Sequence, residues 1–378
     1  MMSVWMVYDR EGLARNEQYV SMFRRHFRAY GREVEAVLDD QAERRVLAGE
    51  RPFCVFVRTI NPPVNRFFET KGIPVFNSYE VSRICNDKGR TLARFREKVL
   101  SVPSITLDGG DWERLMEEEG REVFRLRRYF SERFSTLASL SDPLSPGKVS
   151  SCSVFGELER EMIERAEDFV LKTVDGHGGS EVYLVCGERE RIRAASRRAG
   201  EEDAGGRFIA KRSSVAECGS IARGNSVVEC GSIAGEDSVA GDSSIAGRKM
   251  VLQPLIKNGG RFCDMRVYVI GKRIVAAVMR SSGRDFRANY SRGGDVALVE
   301  LRDAQKQIVN RILDELDFGM AGIDFLFDRD GNMVLNEIED VAGSRMLYEC
   351  APHIDIVSQY VDYVMTCLEP VVNLTLPE

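Results

Sequence analysis

The run 319–340, Gly-Met-Ala-Gly-Ile-Asp-Phe-Leu-Phe-Asp-Arg-Asp-Gly-Asn-Met-Val-Leu-Asn-Glu-Ile-Glu-Asp, constrains this chain more than any other stretch. Two strand-like segments, 323–327 and 333–338, flank Asp330-Gly331, a dipeptide suited to a tight hairpin turn. With those two residues as the loop, Arg329 pairs with Asn332, and counting back puts Asp324 opposite Glu337. Glu339, two residues further on, projects from the same face. Like charges directly opposite one another destabilise a sheet unless something neutralises them. Three carboxylates on one face therefore call for a divalent cation, and hard oxygen ligands suit Mg²⁺. The competing readings are a hairpin whose carboxylates are solvated separately and an EF-hand. The EF-hand fails because Leu326 would occupy its first ligand position and strands replace the required helices.

Bulk properties narrow the setting. The chain has 378 residues, enough for two or three lobes, with 43% hydrophobic and 30% charged residues and a formal net charge of −6. That balance gives no reason to expect nucleic acid or an anionic membrane as partner. Charge arrives too early for a signal peptide, and no apolar run is long enough to span a bilayer. The nine cysteines, without a C-x-x-C, read as reduced thiols, and the three dispersed histidines argue against a histidine metal site. The cytoplasm is the expected location.

In chain order, strands are expected at 3–8, 34–38 and 53–57, with helices at 16–30 and 65–70, which together make a small parallel α/β unit. One helix is expected over 79–99, before Pro103. A charged, helical stretch at 112–137 leads into a Ser/Pro/Gly loop at 139–153. A helix over 157–167 and strands at 169–173 and 182–186 follow. Residues 214–247 repeat, with serine at 214, 220, 226, 232, 238 and 244, each followed by Val or Ile. The period is that of a hexapeptide β-helix, but the near-identical copies also fit a disordered low-complexity loop. Strands are then expected at 251–256, 265–270 and 274–279, a helix at 304–316 ahead of the hairpin, and a last helix at 354–368.

Several other residues could do chemistry. Lys172 lies on a strand just before Asp175-Gly176-His177-Gly178-Gly179-Ser180, where glycines let backbone N–H groups approach phosphate oxygens. The spacing is neither a P-loop nor a Rossmann fingerprint. Cys85-Asn86-Asp87-Lys88 is a weaker signal, because a lysine on a helix is ordinary. Residues 264–294 hold Asp264, Arg266, Arg280, Arg284, Arg287, Asn289 and Arg292. Arg266 and Arg280 lie within apolar strand runs, where a guanidinium needs an anion, either an acidic side chain or a phosphate.

Taken in order from Asn77 to Glu349, apart from insertions near 115–158 and 190–248, these pieces resemble the ATP-grasp ligases, in the glutathione synthetase and ribosomal-protein glutamate-ligase branch. The resemblance implies an α/β (α+β) ATP-grasp fold with an N-terminal domain at 1–78, a central and lid subdomain at 79–253 and a catalytic subdomain at 254–378. It implies ATP contacts at Lys88, Lys172, Gly176, His177, Gly178, Gly179 and Asp264, with adenine against the backbone of Gln253, Pro254 and Leu255. It also implies catalytic roles for Arg266 and Arg280 and substrate contacts at Arg287 and Asn289. Asp324, Glu337 and Glu339 would hold one or two Mg²⁺ ions, with Mn²⁺ as a substitute. Glu339 departs from the family pattern, which usually has Asn there.

The activity implied is amide formation between a carboxylate and an amine through an acyl phosphate, with release of ADP and phosphate. A small-molecule kinase and a non-catalytic ATP-binding scaffold are the alternatives. The partners implied are a small-molecule, amino-acid or peptide substrate, and by resemblance a homo-oligomer. The 58–63 segment, Arg-Thr-Ile-Asn-Pro-Pro, follows a strand of the N-terminal domain and is expected to contribute to the acceptor pocket.

Overall fold

The computed structural model describes residues 2–108, 110–111, 114–115, 126–133, 152–176, 182–185, 209–210, 248–258, 262–282 and 295–369. The hexad repeat and residues 139–151 of the expected loop 139–153 lie outside these residues, as do His177, Gly178, Gly179, Arg287 and Asn289; the last two loop positions, 152 and 153, instead begin the helix Cys152–Glu164, which starts earlier than the helix expected at 157–167. None of the described helices is long and apolar enough to cross a membrane.

The first unit is a parallel sheet of β1 (Val4–Tyr8), β2 (Val34–Leu38), β3 (Val55–Val57) and β4 (Val75–Phe76), in the order β2-β1-β3-β4. Its central strand β1 is buried along its whole length, as expected for a strand covered on both faces. The expected helix at 16–30 is present as Glu17–Arg28. A short helix, Arg10–Arg15, precedes it, started by Asp9, whose side chain accepts from the Gly12 N–H. The helix Pro62–Thr70 starts earlier than expected, with prolines in its first turn, where a missing N–H costs nothing.

Where one helix was expected over 79–99, there are two, Tyr79–Cys85 and Lys88–Phe95. The break has a local cause. Asp87 leaves helical geometry, and its side chain caps the second helix by accepting from the Arg90 N–H at 2.9 Å. Lys88 is thereby the first residue of a helix, and its own N–H donates to the carbonyl of Val174, the residue that follows the strand Phe169–Thr173 of another sheet.

That sheet is β5 (Ile105–Leu107), β6 (Phe169–Thr173), β7 (Val182–Val185), β8 (Ile209–Ala210) and β9 (Met250–Pro254), in the order β5-β9-β6-β7-β8. The remaining sheet is antiparallel: β10 (Phe262–Ile270), β11 (Arg273–Ser282), β12 (Asp295–Val299), β13 (Met320–Phe327) and β14 (Met333–Glu339), in the order β12-β11-β10-β13-β14. Strand β12 was not anticipated, and β10 and β11 run longer than expected.

Alternation along β10 divides its two faces. Met265, Val267 and Val269 enter one core with Ile323 and Phe325, while Tyr268 and Ile270 enter another. The second core also contains Val4, Met6 and Phe56 of the first sheet and Tyr360 and Val364 of the helix Ile356–Leu368. The N-terminal sheet and the antiparallel sheet are thus joined through apolar packing. Asn77 adds a buried polar staple across the same junction. Its amide donates to the carbonyls of Met320 and Asp340 at 2.9 and 2.8 Å, and its carbonyl accepts from Gly319 N–H. Replacing Asn77 by Ala strands these groups away from water. Denaturant unfolding should show a loss on the order of 3 kcal/mol for Asn77→Ala.

Candidate active site

The acidic hairpin forms, but not with the expected turn. The last strand pair is Phe327 with Met333, and the loop 328–332 is tied by Asp328, whose carboxylate accepts from the backbone N–H groups of Asp330 and Asn332. Gly331 adopts φ 81°, a left-handed conformation that favours glycine. The longer loop shifts the pairing of Phe325 to Leu335, and a bulge then restores it. Asn336 is the extra residue, so Asp324 still stands opposite Glu337, with Glu339 opposite Gly322. Two polar residues in succession, Asn336 and Glu337, break the strand alternation and are the sequence signal for this bulge.

The same face of β10 and β11 carries Asp264, Arg266 and Arg280, with Asp264 directly across from Arg280 and Arg266 directly across from Asp324. These side chains form a continuous row of alternating charge. Arg280 donates to both oxygens of Asp264 at 2.5 and 2.7 Å, and to Asp324 Oδ2 at 2.9 Å. Arg266 donates to both oxygens of Asp324 at 2.7 and 2.6 Å, and its Nη2 lies 2.7 Å from Glu339 Oε1. Burial raises the Asp324 carboxyl, but Arg266 and Arg280 together override it and hold the group below its ordinary value. Burial pushes the Asp264 and Glu339 carboxyls up, only partly offset by their arginines.

Gly322 makes the Arg266–Glu339 contact sterically possible. A Cβ there would stand 3.2 Å from Arg266 Cδ, 3.3 Å from its Nε and 3.2 Å from Ala342 Cβ.

Two lysines reach this row from other elements. Lys88 is buried; its Nζ donates to the Gly176 carbonyl and lies 4.0 Å from Glu337 Oε2. Lys172, on β6, donates from Nζ to Asn336 Oδ1 at 3.1 Å. Burial lowers the Lys172 pKa to about 8, against an attraction to Glu337 and with a further push from Lys88. The segment 100–102 runs beside β14, with Val102 N–H donating to Leu335 and Leu335 N–H to Leu100, and so joins the two sheets behind the lysines.

The structure thus brings together Lys88, Lys172, Gly176, Asp264, Arg266, Arg280, Asp324, Glu337 and Glu339. Gln253 is buried on β9, and its amide donates to Ser104 Oγ at 2.8 Å. Pro254 pairs with Phe169, and Leu255 N–H already donates to the Asp168 carbonyl at 2.9 Å, so that N–H is committed within the sheet. Sequence reasoning missed Asn336 and Gly322.

The fit to a divalent cation divides the three carboxylates. Among the described residues no group of three His, Cys, Asp or Glu side chains is arranged to hold a metal ion. Both oxygens of Asp324 already accept from guanidinium groups. Glu337 and Glu339 side chains retain 17% and 21% exposure, and as hard oxygen donors they suit Mg²⁺.

The RimK-like ATP-grasp domain family matches residues 223–364. A probable alpha-L-glutamate ligase of Haemophilus influenzae is 34% identical over 116 residues, which are 30% of this chain and 38% of that protein. The chain therefore spans well under two thirds of that relative's length. Among solved structures, a D-cycloserine synthetase superposes with TM-score 0.57 at 13% identity, covering 97% of this chain and all of the other. A D-alanine–D-alanine ligase of Bacillus anthracis gives TM-score 0.54 at 13% identity, covering 97% of both chains.

Two outcomes test the charge arrangement. Gly322→Ala should cost about 1–3 kcal/mol by crowding Arg266, read from denaturant unfolding. Lys172 is depressed in the fold, so the unfolded chain binds its proton more tightly. The resulting cost to stability is fully present below pH 8 and is relieved as pH rises towards 10.5. Lys172→Met should therefore melt above the wild type at pH 7, with the gap closing between pH 8 and 10.5.

Proposed function

We propose that this chain, which has an ATP-grasp fold and matches the RimK-like ATP-grasp domain over residues 223–364, is an ATP-dependent ligase joining a carboxylate to an amine. One observation carries the reading: two lysines from separate elements meet the carboxylate row on a single face, Lys88 beside Glu337 and Lys172 on its neighbour Asn336. Lysines alone would suit any anion. Lysines set against partly exposed carboxylates suit an anion that brings its own cation, as a nucleoside triphosphate does.

In this reading Lys88 and Lys172 neutralise phosphate oxygens of ATP. Lys172, poised near 8, gains a proton-stabilising partner when the phosphates arrive. Glu337 and Glu339 would hold Mg²⁺, which when bound screens the phosphate oxygens and polarises the group being transferred. Asp264 and Asp324 grip Arg280 and Arg266 at two points each, so the guanidinium groups are fixed before substrate binds. Fixed positive charge is what a phosphoryl transfer and the tetrahedral adduct after it require.

The acceptor carboxylate attacks the γ-phosphorus of ATP, forming a C–O–P linkage as the bond to ADP breaks. The amine then adds to the acyl carbon and loses a proton. Phosphate leaves with the electron pair of the broken C–O bond, and an amide is left. Water must be kept from the acyl phosphate for this sequence to yield amide rather than hydrolysis.

ADP release from Mg-ATP, measured against pooled carboxylates and amines, tests the reading. Release that needs both substrates and falls about 10²-fold or more in Glu337→Gln is the expected outcome. Release needing one substrate, with a stable phosphorylated product, would instead make the protein a kinase. Nucleotide binding without release from any pool would contradict turnover.

A further inference from the structure

The peptide that leaves β14 after Glu339 carries a carboxylate that the proposed reaction leaves unused. Asp340 is 4% exposed, and its side chain meets the helix Tyr79–Cys85, where the side chains of Ser82 and Asn86 donate to it. Ser82 and Asn86 are buried as well, and the Asn86 amide also donates to Ser82 Oγ at 3.0 Å. One helical turn separates them, so both donors serve the same point on β14.

Stability does not account for this carboxylate. Its Oδ1 has no hydrogen-bond partner, and Arg58 offsets part of its charge from further off. Burying a carboxylate with one oxygen unsatisfied is costly. Val81, Ile84 and Ile338 belong to the apolar core at the same junction, so packing there does not call for a charge.

What the link supplies follows from its place in the chain. Asn86 ends one helix, Asp87 caps the next, and Lys88 is the first residue of that next helix. The Thr91 hydroxyl donates to the Ile84 carbonyl at 2.7 Å, which fixes the corner between the two helices. Lys88 N–H and Nζ donate to the carbonyls of Val174 and Gly176, and these contacts tie the lysine to the segment after β6. Asp340 ties the same corner to β14. It grips the residue two places before Lys88, and it directly follows Glu339 on the strand whose Glu337 Oε2 lies 4.0 Å from Lys88 Nζ. The Asp340 carbonyl in turn accepts from the Asn77 amide at 2.8 Å, so the anchoring peptide is itself held.

Resting on the ligase reading, we infer that Asp340 is a positioning residue: through Ser82 and Asn86 it sets Lys88 at a fixed spacing from Glu337 and Glu339. It acts on the nucleotide through Lys88 and not by contact. A phosphate chain held by a lysine on one side and a carboxylate-bound cation on the other spans both at once, so binding depends on that spacing.

The test is a double-mutant cycle on the affinity of the full chain for Mg-ADP, measured by titration calorimetry. Binding needs neither acceptor nor amine, so it stands apart from ADP release. Asp340→Ala should weaken Mg-ADP about fivefold or more. Asp340→Asn, which keeps an oxygen for Ser82 and Asn86, should stay within about twofold of wild type. In a Lys88→Met background Asp340→Ala should cost no further affinity. A residue that only stabilises the fold would lower the melting temperature in both backgrounds without this coupling. Equal affinity of wild type and Asp340→Ala would overturn the inference, as would an undiminished loss in the Lys88→Met background. If Asp340→Ala does not fold, Asn86→Ala cuts the same link from the helix side, and wild-type affinity in that variant overturns the inference. Failure of the wild type to bind Mg-ADP would overturn the ligase reading, and this inference with it.

Discussion

Everything at the site depends on the alternation Asp264–Arg280–Asp324–Arg266–Glu339. Burying five charged groups side by side is costly in desolvation, and such a row is a weak source of stability. What it supplies is position. Each guanidinium is held in two-point contact by a carboxylate on the adjacent strand, which fixes the register of β10 against β11 and β13. A slip of one residue would turn every one of these groups to the opposite face, into the apolar core of Met265, Val267 and Ile323. The row also relieves the repulsion between Asp324 and Glu337, because Asp324 spends its charge on arginines.

This division of labour separates carboxylates that looked equivalent in the sequence. Asp324 is anchored to two arginines, whereas Glu337 and Glu339 keep part of their surface exposed, where the proposed reaction would place Mg²⁺. Glu339 belongs to both groups, since one of its oxygens lies against Arg266. It can do so only because Gly322 leaves room for the arginine to lean across the sheet. The lysines complete the balance from outside the sheet. Lys88 is placed by a helix cap at Asp87, and Lys172 is placed by the bulge residue Asn336.

Much of this was legible in the sequence because the signals were local and periodic. Asp324, Glu337 and Glu339 could be put on one face from alternation alone. The placement survived an error in the turn, because the longer loop 328–332 and the bulge at Asn336 shift the register in opposite directions. The helix break before Lys88 was missed, although Asn-Asp just ahead of it is a capping signal, because the apolar spacing continues through it. Strand β12 was missed as well. The pairing of Arg266 with two carboxylates joins residues 58 and 73 positions apart in sequence, and no local pattern reports such distances.

In the proposed reaction a carboxylate is activated by phosphoryl transfer before an amine displaces phosphate. The most direct measurement uses an acceptor whose carboxyl group carries ¹⁸O, followed by mass spectrometry of the phosphate released with the amide. Acyl phosphate formation transfers one carboxyl oxygen to phosphorus, so the account predicts one ¹⁸O atom in each phosphate formed. Unlabelled phosphate alongside amide product would contradict it.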